Sequence, residues 1–233
     1  MPRTLDPAAH ALRRDAFVDA AQRLINAKGY EQMSVQDVLD ELDTSRGAFY
    51  HYFDSKAALL EAVIERMVDG ATATFEPIVD DPERPALEKL QAVFTGLGSY
   101  KAERRELLVE IMRTWFSDEN VMVRDKLRLL IATRLGPLLA RIVRQGQAEG
   151  TFTATSAEHT AIVLASLIQG ANETASRLFV ACLTGDVTFD EVRLTLAAYA
   201  EAFERVLGLG PGSWPAVDEA TLHYWFDQQR SDT

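Results

Sequence analysis

The chain has 233 residues, 47% of them hydrophobic, and a formal net charge of −11. That length and apolar content can bury a large core in one big domain or two modest ones, so the chain is globular. A charge this negative argues against a general nucleic-acid coat, and no run of eighteen apolar residues offers a membrane-spanning helix.

The start, MPRTLDPAAHALRRD, lacks the apolar stretch of a secretory signal, which points to a cytoplasmic protein with no membrane partner. The lone Cys182 cannot form an internal disulfide, and its setting, RLFVACLTG, reads as a small core hydrophobe rather than a redox sensor. His10, His51, His159 and His223 are scattered without paired spacing, so neither zinc nor another cofactor is expected.

Along the chain, Phe17, Ala20, Ala21, Leu24 and Ile25 make the first helical stripe, ended by Lys28-Gly29-Tyr30. Val35, Val38, Leu39 and Leu42 then fall at i, i+3, i+4 and i+7. Ser34 precedes them with Asp37 three residues on, a variant of the capping box, and predicts a helix start near Val35. Asp43 and Thr44 interrupt the stripe. Ser45 is placed to cap a second helix, whose Phe49 and Phe53, four apart, point back toward the first.

That arrangement leaves Arg46, Gly47, Ala48, Tyr50 and His51 facing elsewhere. Two helices joined by so short a turn form the unit whose second helix enters a major groove of DNA. An arginine can bond bidentately to guanine, an alanine can touch a thymine methyl, and a glycine permits close backbone approach. Tyr50 and His51 suit phosphate oxygens, as does Lys56 at a helix start. The hydroxyls of Ser34, Thr44 and Ser45 can cap a helix and still bond a phosphate. The competing reading of the same residues is a solvated helix face with ordinary caps.

The run Arg46-Gly47-Ala48-Phe49-Tyr50-His51-Tyr52-Phe53-Asp54-Ser55-Lys56 is similar to the recognition-helix signature of TetR-family transcriptional regulators, and the resemblance extends over roughly residues 10 to 64. It adds Tyr52 to the candidate DNA contacts. It also implies a homodimer, built through the two helices before the C-terminus, that reads a palindromic operator on double-stranded DNA. One departure is clear: where the family commonly has Ala-Gly-Val at the turn, this chain has Leu42-Asp43-Thr44. Aspartate is among the few residues other than glycine enriched in the left-handed conformation such a turn uses.

Residues 1 to 56 hold seven Lys and Arg against nine Asp and Glu, a net of −2, leaving −9 for the other 177 residues. A specific contact therefore depends on a local basic face, supplied by Arg46 and Lys56 with Arg3, Arg13 or Arg14, and non-specific binding is expected to be weak.

After Lys56 a helix is predicted to about Thr74, followed by a loop marked by Pro77, Pro82 and Pro85. Stripes on Leu87, Leu90, Phe94 and Leu97 and on Leu107, Leu108, Ile111, Met112, Trp115 and Phe116 give two more helices. A long one runs from Val121 to Gln147 with a kink or break expected at Gly136-Pro137. Helices at 157 to 183 and 190 to 207 and a short terminal one around Leu222, Trp225 and Phe226 complete an all-α fold without strand alternation.

Gln169, Asn172, Glu173 and Ser176 form a polar stripe on an otherwise apolar helix, and polar groups so placed need partners. Gln169, Asn172 and Glu173 of this stripe, with Tyr100, Glu110, Arg113, Trp115 and Arg134, make the candidate binding site for a small-molecule effector. A solvated stripe or an internal ion pair is the plainer alternative. On the same helix Ala165, Gly170, Ala171 and Ala175 would let a partner helix come close.

The expected organisation is a helix-turn-helix DNA-binding domain over 1–56 and a helical ligand-binding and dimerisation domain over 57–233. The expected function, with repression and induction implied by the resemblance, is a repressor released from its operator by a small molecule. Alternatives are a DNA-binding adaptor without a ligand or an α-helical enzyme. The enzyme is disfavoured because no G-x-S-x-G, H-E-x-x-H, G-x-G-x-x-G or P-loop pattern occurs.

Overall fold

The computed structural model describes residues 7–214, 217 and 219–226, so Arg3 lies outside the described residues. Every regular element among them is helical, and none of these helices is long and apolar enough to cross a membrane. The helices fall into two compact units, the first within Met1–Gly70 and Tyr100–Leu130, the second within Ala71–Ser99 and Ile131–Thr233.

The first unit opens with α1 (Pro7–Lys28), whose Phe17, Val18, Ala21 and Ile25 are fully buried. Gly29, at φ +82°, ends it by bonding back to the Ile25 carbonyl at 2.9 Å, a left-handed termination that suits a residue without Cβ. Helices α2 (Val35–Glu41) and α3 (Arg46–Tyr50) follow, then α4 (Lys56–Ala73), started by Ser55, whose Oγ accepts the Ala58 amide at 3.0 Å. Leu59, Leu60, Val63 and Ile64 of α4 share one core with Phe17, Phe49, Leu107 and Ile111. Accordingly the compact units do not divide at residue 56, because the first turns of α4 pack where α1 and α3 do.

The second unit holds α5 (Glu76–Asp80) and most of α6 (Ala86–Ala102). Pro77 corrects the loop expected around it: it sits in the first turn of α5, where a missing amide costs nothing. Helix α7 (Arg105–Thr114) returns to the first unit, and α8 (Val121–Ala148) passes from the first into the second. No break occurs at Gly136-Pro137. Pro137 lies inside a continuous α8, with Leu135, Leu138, Leu139 and Ile142 buried on either side of it.

Helices α9 (Ala157–Thr184) and α10 (Phe189–Leu207) pack against each other, each started by a hydroxyl cap, from Ser156 and Thr188. Tyr199 of α10 lies over Gly170 so closely that a Cβ there would stand 3.3 Å from its hydroxyl, which also meets Thr174 Oγ1 at 2.9 Å. The close approach at Gly170 is thus made within the chain. Trp214 packs its ring 4.8 Å from Phe94 and 5.5 Å from Phe203, and α11 (Glu219–Phe226), with Leu222 buried, lies on α9, where Phe226 stands 6.5 Å from Phe179. Cys182 is half-buried rather than in the core, and burial pushes its thiol up, away from the reactive thiolate.

Candidate nucleic-acid interface

The local chemistry of residues 34–51 explains how α3 is presented. Ser34 Oγ accepts the Asp37 amide at 3.2 Å while the Asp37 carboxylate accepts the Ser34 amide at 2.7 Å, the reciprocal pair of a capping box. The turn follows at Asp43, the single described non-glycine residue at positive φ, +45°. Its amide donates to the Asp40 carbonyl at 3.3 Å and that of Thr44 to Leu39 at 3.0 Å. Ser45 then caps α3 through the Ala48 amide at 3.2 Å. Phe49 is fully buried, its ring edge-on to Phe17 at 5.7 Å, so α3 is pinned by one aromatic side chain.

With Phe49 turned inward, Ser45, Arg46, Gly47, Tyr50 and His51 are exposed and Ala48 is half-buried. Gly47 is open enough that a Cβ would meet only Ser45 Oγ, at 3.9 Å. The other candidates are more engaged. Tyr52 packs 5.6 Å from the Phe17 ring and 4.6 Å from His10. Lys56 Nζ donates to the Glu31 carbonyl at 3.1 Å and lies 4.3 Å over the Tyr30 ring. Thr44 Oγ1 accepts a hydrogen bond from Arg13 Nη2 at 2.8 Å, and Ser34 is occupied by its capping box.

Charge around the face is balanced locally rather than basic. Lys28 Nζ stands 2.6 Å from Asp37, and this pairing, with the Ser34 hydrogen bonds, holds the Asp37 carboxyl well below the usual carboxylate range. Arg23 pairs with Glu41 at 2.7 Å, and Asp40 accepts Gln36 Nε2 at 2.7 Å. Three acidic groups of α2 are therefore committed to neighbours, while Arg46 is exposed on α3. In sequence Arg13 reads only as spare positive charge and His10 as one of four scattered histidines. Both continue the Phe17 stripe backwards at helical spacing, which was the available signal.

The eight effector candidates divide evenly. Tyr100, Glu110, Arg113 and Trp115 lie in the first unit, Arg134, Gln169, Asn172 and Glu173 in the second. In the first, a Cβ on Gly70 of α4 would stand 2.7 Å from the Tyr100 hydroxyl, and one on Gly29 would stand 2.9 Å from the Glu110 carboxylate. Glu110 also pairs with exposed Arg113 at 3.6 Å, and Trp115 packs on the core. In the second, Arg134 is exposed, Gln169 and Asn172 are half-buried, and Glu173 pairs with Arg177 at 3.0 Å. No group of metal-ligand type occurs among the described residues.

Known proteins match this arrangement. The profile of bacterial regulatory proteins of the tetR family covers residues 17–63, the segment from the Phe17 stripe to the first turns of α4. The regulator EthR of Mycolicibacterium smegmatis is 33% identical over 97 residues, spanning 40% of this chain and less than half, 45%, of EthR. The HTH-type transcriptional repressor KstR2 of the same organism is 28% identical over 63% of this chain and 70% of its own. The nucleoid occlusion factor SlmA of Vibrio vulnificus is 30% identical over 58% of this chain and 71% of its own. A TetR transcription regulator structure from Haloarcula marismortui shares the fold, with a TM-score of 0.56 at 23% identity over 82% of this chain and 98% of that one. The family profile on the helix-turn-helix and relatives reaching into the helical body together establish that this chain belongs to the tetR family of bacterial regulatory proteins.

Proposed function

We propose that the chain is a homodimeric, sequence-specific DNA-binding repressor that leaves a palindromic operator when a small molecule occupies its helical body. The observation that carries this reading is the exposed set Ser45, Arg46, Gly47, Tyr50 and His51 on a helix pinned from behind by buried Phe49. A guanidinium, a phenol, an imidazole and a bare glycine on one projecting surface can contact base edges and phosphates, whereas a purely structural helix has no need of them.

Self-association is supported by Ile162 and Val163 on α9 and Leu194 on α10, apolar side chains that are 63%, 45% and 60% exposed on the two long helices before the C-terminus. Two copies would present two α3 helices to two half-sites, as an inverted repeat requires. Tyr100, Glu110, Arg113, Trp115, Arg134, Gln169, Asn172 and Glu173 are the proposed effector residues. Helix α4 runs from the reading unit into the second one, a continuous connection through which an occupied body would favour a different spacing of the two α3 helices. The effect on the operator can be no larger than the effector's differential affinity for the two states.

The test is selection of duplexes from a random pool on the purified protein, repeated with a variant carrying Arg46→Ala and Tyr50→Ala. The wild type should enrich an inverted repeat and the variant should lose it while remaining a folded dimer. Retained sequence-specific binding by the variant would sink the assignment. The adaptor alternative is separated by thermal shift against a metabolite and drug panel, since a ligand bound to the folded state raises its melting temperature.

A further inference from the structure

Helix α3 is five residues long, too short to hold its own orientation, so what grips its two ends decides how it meets a duplex. Both grips come from α1, one turn apart. At the trailing end, the His10 ring lies 5.6 Å from His51, the residue that ends α3, and 4.6 Å from Tyr52. At the leading end, Arg13 Nη2 donates to Thr44 Oγ1 at 2.8 Å, joining residues 31 apart in sequence. The Arg13 guanidinium also lies 5.6 Å over the Phe17 ring, which packs on Phe49. Thr44 stands directly between Asp43, at φ +45°, and Ser45, the cap of α3. Its amide is tied to α2 through Leu39 and its side chain to α1 through Arg13.

We propose that Arg13 is a positioning residue for DNA recognition, acting through Thr44 to fix the entry of α3 rather than by contacting the duplex. The proposal rests on α3 being the DNA-contacting helix. Its physical basis is the turn itself. An aspartate in the left-handed region is held there against a conformational cost, so the backbone at Thr44 has alternatives nearby, and a charge-assisted bond to its hydroxyl removes them. The competing role is equally concrete: a guanidinium bonded to a neutral hydroxyl keeps its full charge, and such a charge beside DNA attracts phosphate.

The experiment measures affinity and its salt dependence for wild type, Arg13→Ala, Thr44→Val and the double variant. The probes are a duplex enriched from a random pool by the wild type and an unrelated duplex of equal length. Thr44→Val keeps the side-chain shape and leaves the Arg13 charge in place, so it serves even where Arg13→Ala unfolds. Each single variant should bind the enriched duplex about tenfold more weakly, the scale of one hydrogen bond to a charged group. The double variant should be no weaker than either single one, because the two residues act as one unit. The slope of log affinity against log salt should stay at the wild-type value. A slope lowered by about one in Arg13→Ala marks a phosphate ligand and overturns the proposal. So do losses that multiply in the double variant, or a Thr44→Val protein that binds as wild type does. A wild type that enriches no duplex removes the DNA-binding reading itself, a different result from any of these.

Discussion

The turn and α3 contrast with the polar stripe of α9 in how chemistry is distributed along the chain. Between Ser34 and His51 every cap, the inward aromatic and the exposed face lie within one short stretch, and its capping and turn hydrogen bonds reach three to five residues. Gln169, Asn172 and Glu173 are also near neighbours, but the other proposed effector residues, from Tyr100 to Arg134, lie far from them in sequence. A site made by local geometry announces its role in sequence. One assembled from distant helices supplies only a list of residue types.

The largest expected effect falls on the local region. Phe49→Ala removes a fully buried ring that touches Phe17 and Phe53, and should cost about 3–5 kcal/mol. Chemical denaturation read by circular dichroism should show the loss. A variant as stable as wild type would mean that α3 is held by something other than this ring. The matching test in the second unit is Lys89→Met. Lys89 is only 3% exposed and its ammonium donates to the Val79 carbonyl and to Gln145 Oε1, both at 2.7 Å. Methionine keeps the length but strands both acceptors, at about 1–3 kcal/mol by the same measurement.

These two anchors show what was legible. Phe49 follows from its spacing to Phe53 and from the cap at Ser45, and the helices α1, α4, α9 and α10 follow from apolar periodicity. Lys89 does not, because a lysine in a helical stripe reads as solvent-facing unless its partners are known, and Val79 and Gln145 lie on other helices. Pro77 reads as loop in sequence, since proline usually ends helices, yet its missing amide is harmless in a first turn. Continuity of α8 through Pro137 likewise depends on packing by Leu135, Leu138 and Leu139, and no local signal reports it. At the candidate interface the exposed face of α3 was legible, whereas the engagement of Tyr52 and Lys56 by His10, Glu31 and Tyr30 needed α1 in place.

Smaller effects sharpen the contrast within the turn. Ser45→Ala and Ser34→Ala each remove a side-chain cap and should cost about 1 kcal/mol. Ser45→Ala should also weaken duplex binding, because it loosens α3 itself, while Ser34→Ala should act mainly on stability. Equal losses of binding in the two would show that α2 and α3 respond as one body. Asp43→Gly sets two magnitudes against each other. Relief of a left-handed aspartate is worth about 1–2 kcal/mol, and the added freedom of glycine when unfolded takes back about 0.5–1 kcal/mol. A net gain of about 0–1.5 kcal/mol is expected, visible as a raised melting temperature, and the lost negative charge should tighten binding to every duplex alike.

The smallest effect is titration of Asp37. Its pairing with Lys28 and Ser34 holds the carboxyl far below its ordinary value of 3.8, so the folded chain binds this proton less readily than the unfolded one. The resulting stabilisation is fully present above about pH 4, the unfolded carboxylate range, and fades as pH falls further toward the depressed folded value. Because the carboxylate is solvent-accessible the contribution is modest, and added salt should shrink it. Comparing wild type with Asp37→Asn between pH 5 and pH 3, the gap in melting temperature should narrow as acid is added. A gap that stays constant would assign the role of Asp37 to the hydrogen bonds of the capping box, which asparagine can partly keep, and not to its charge.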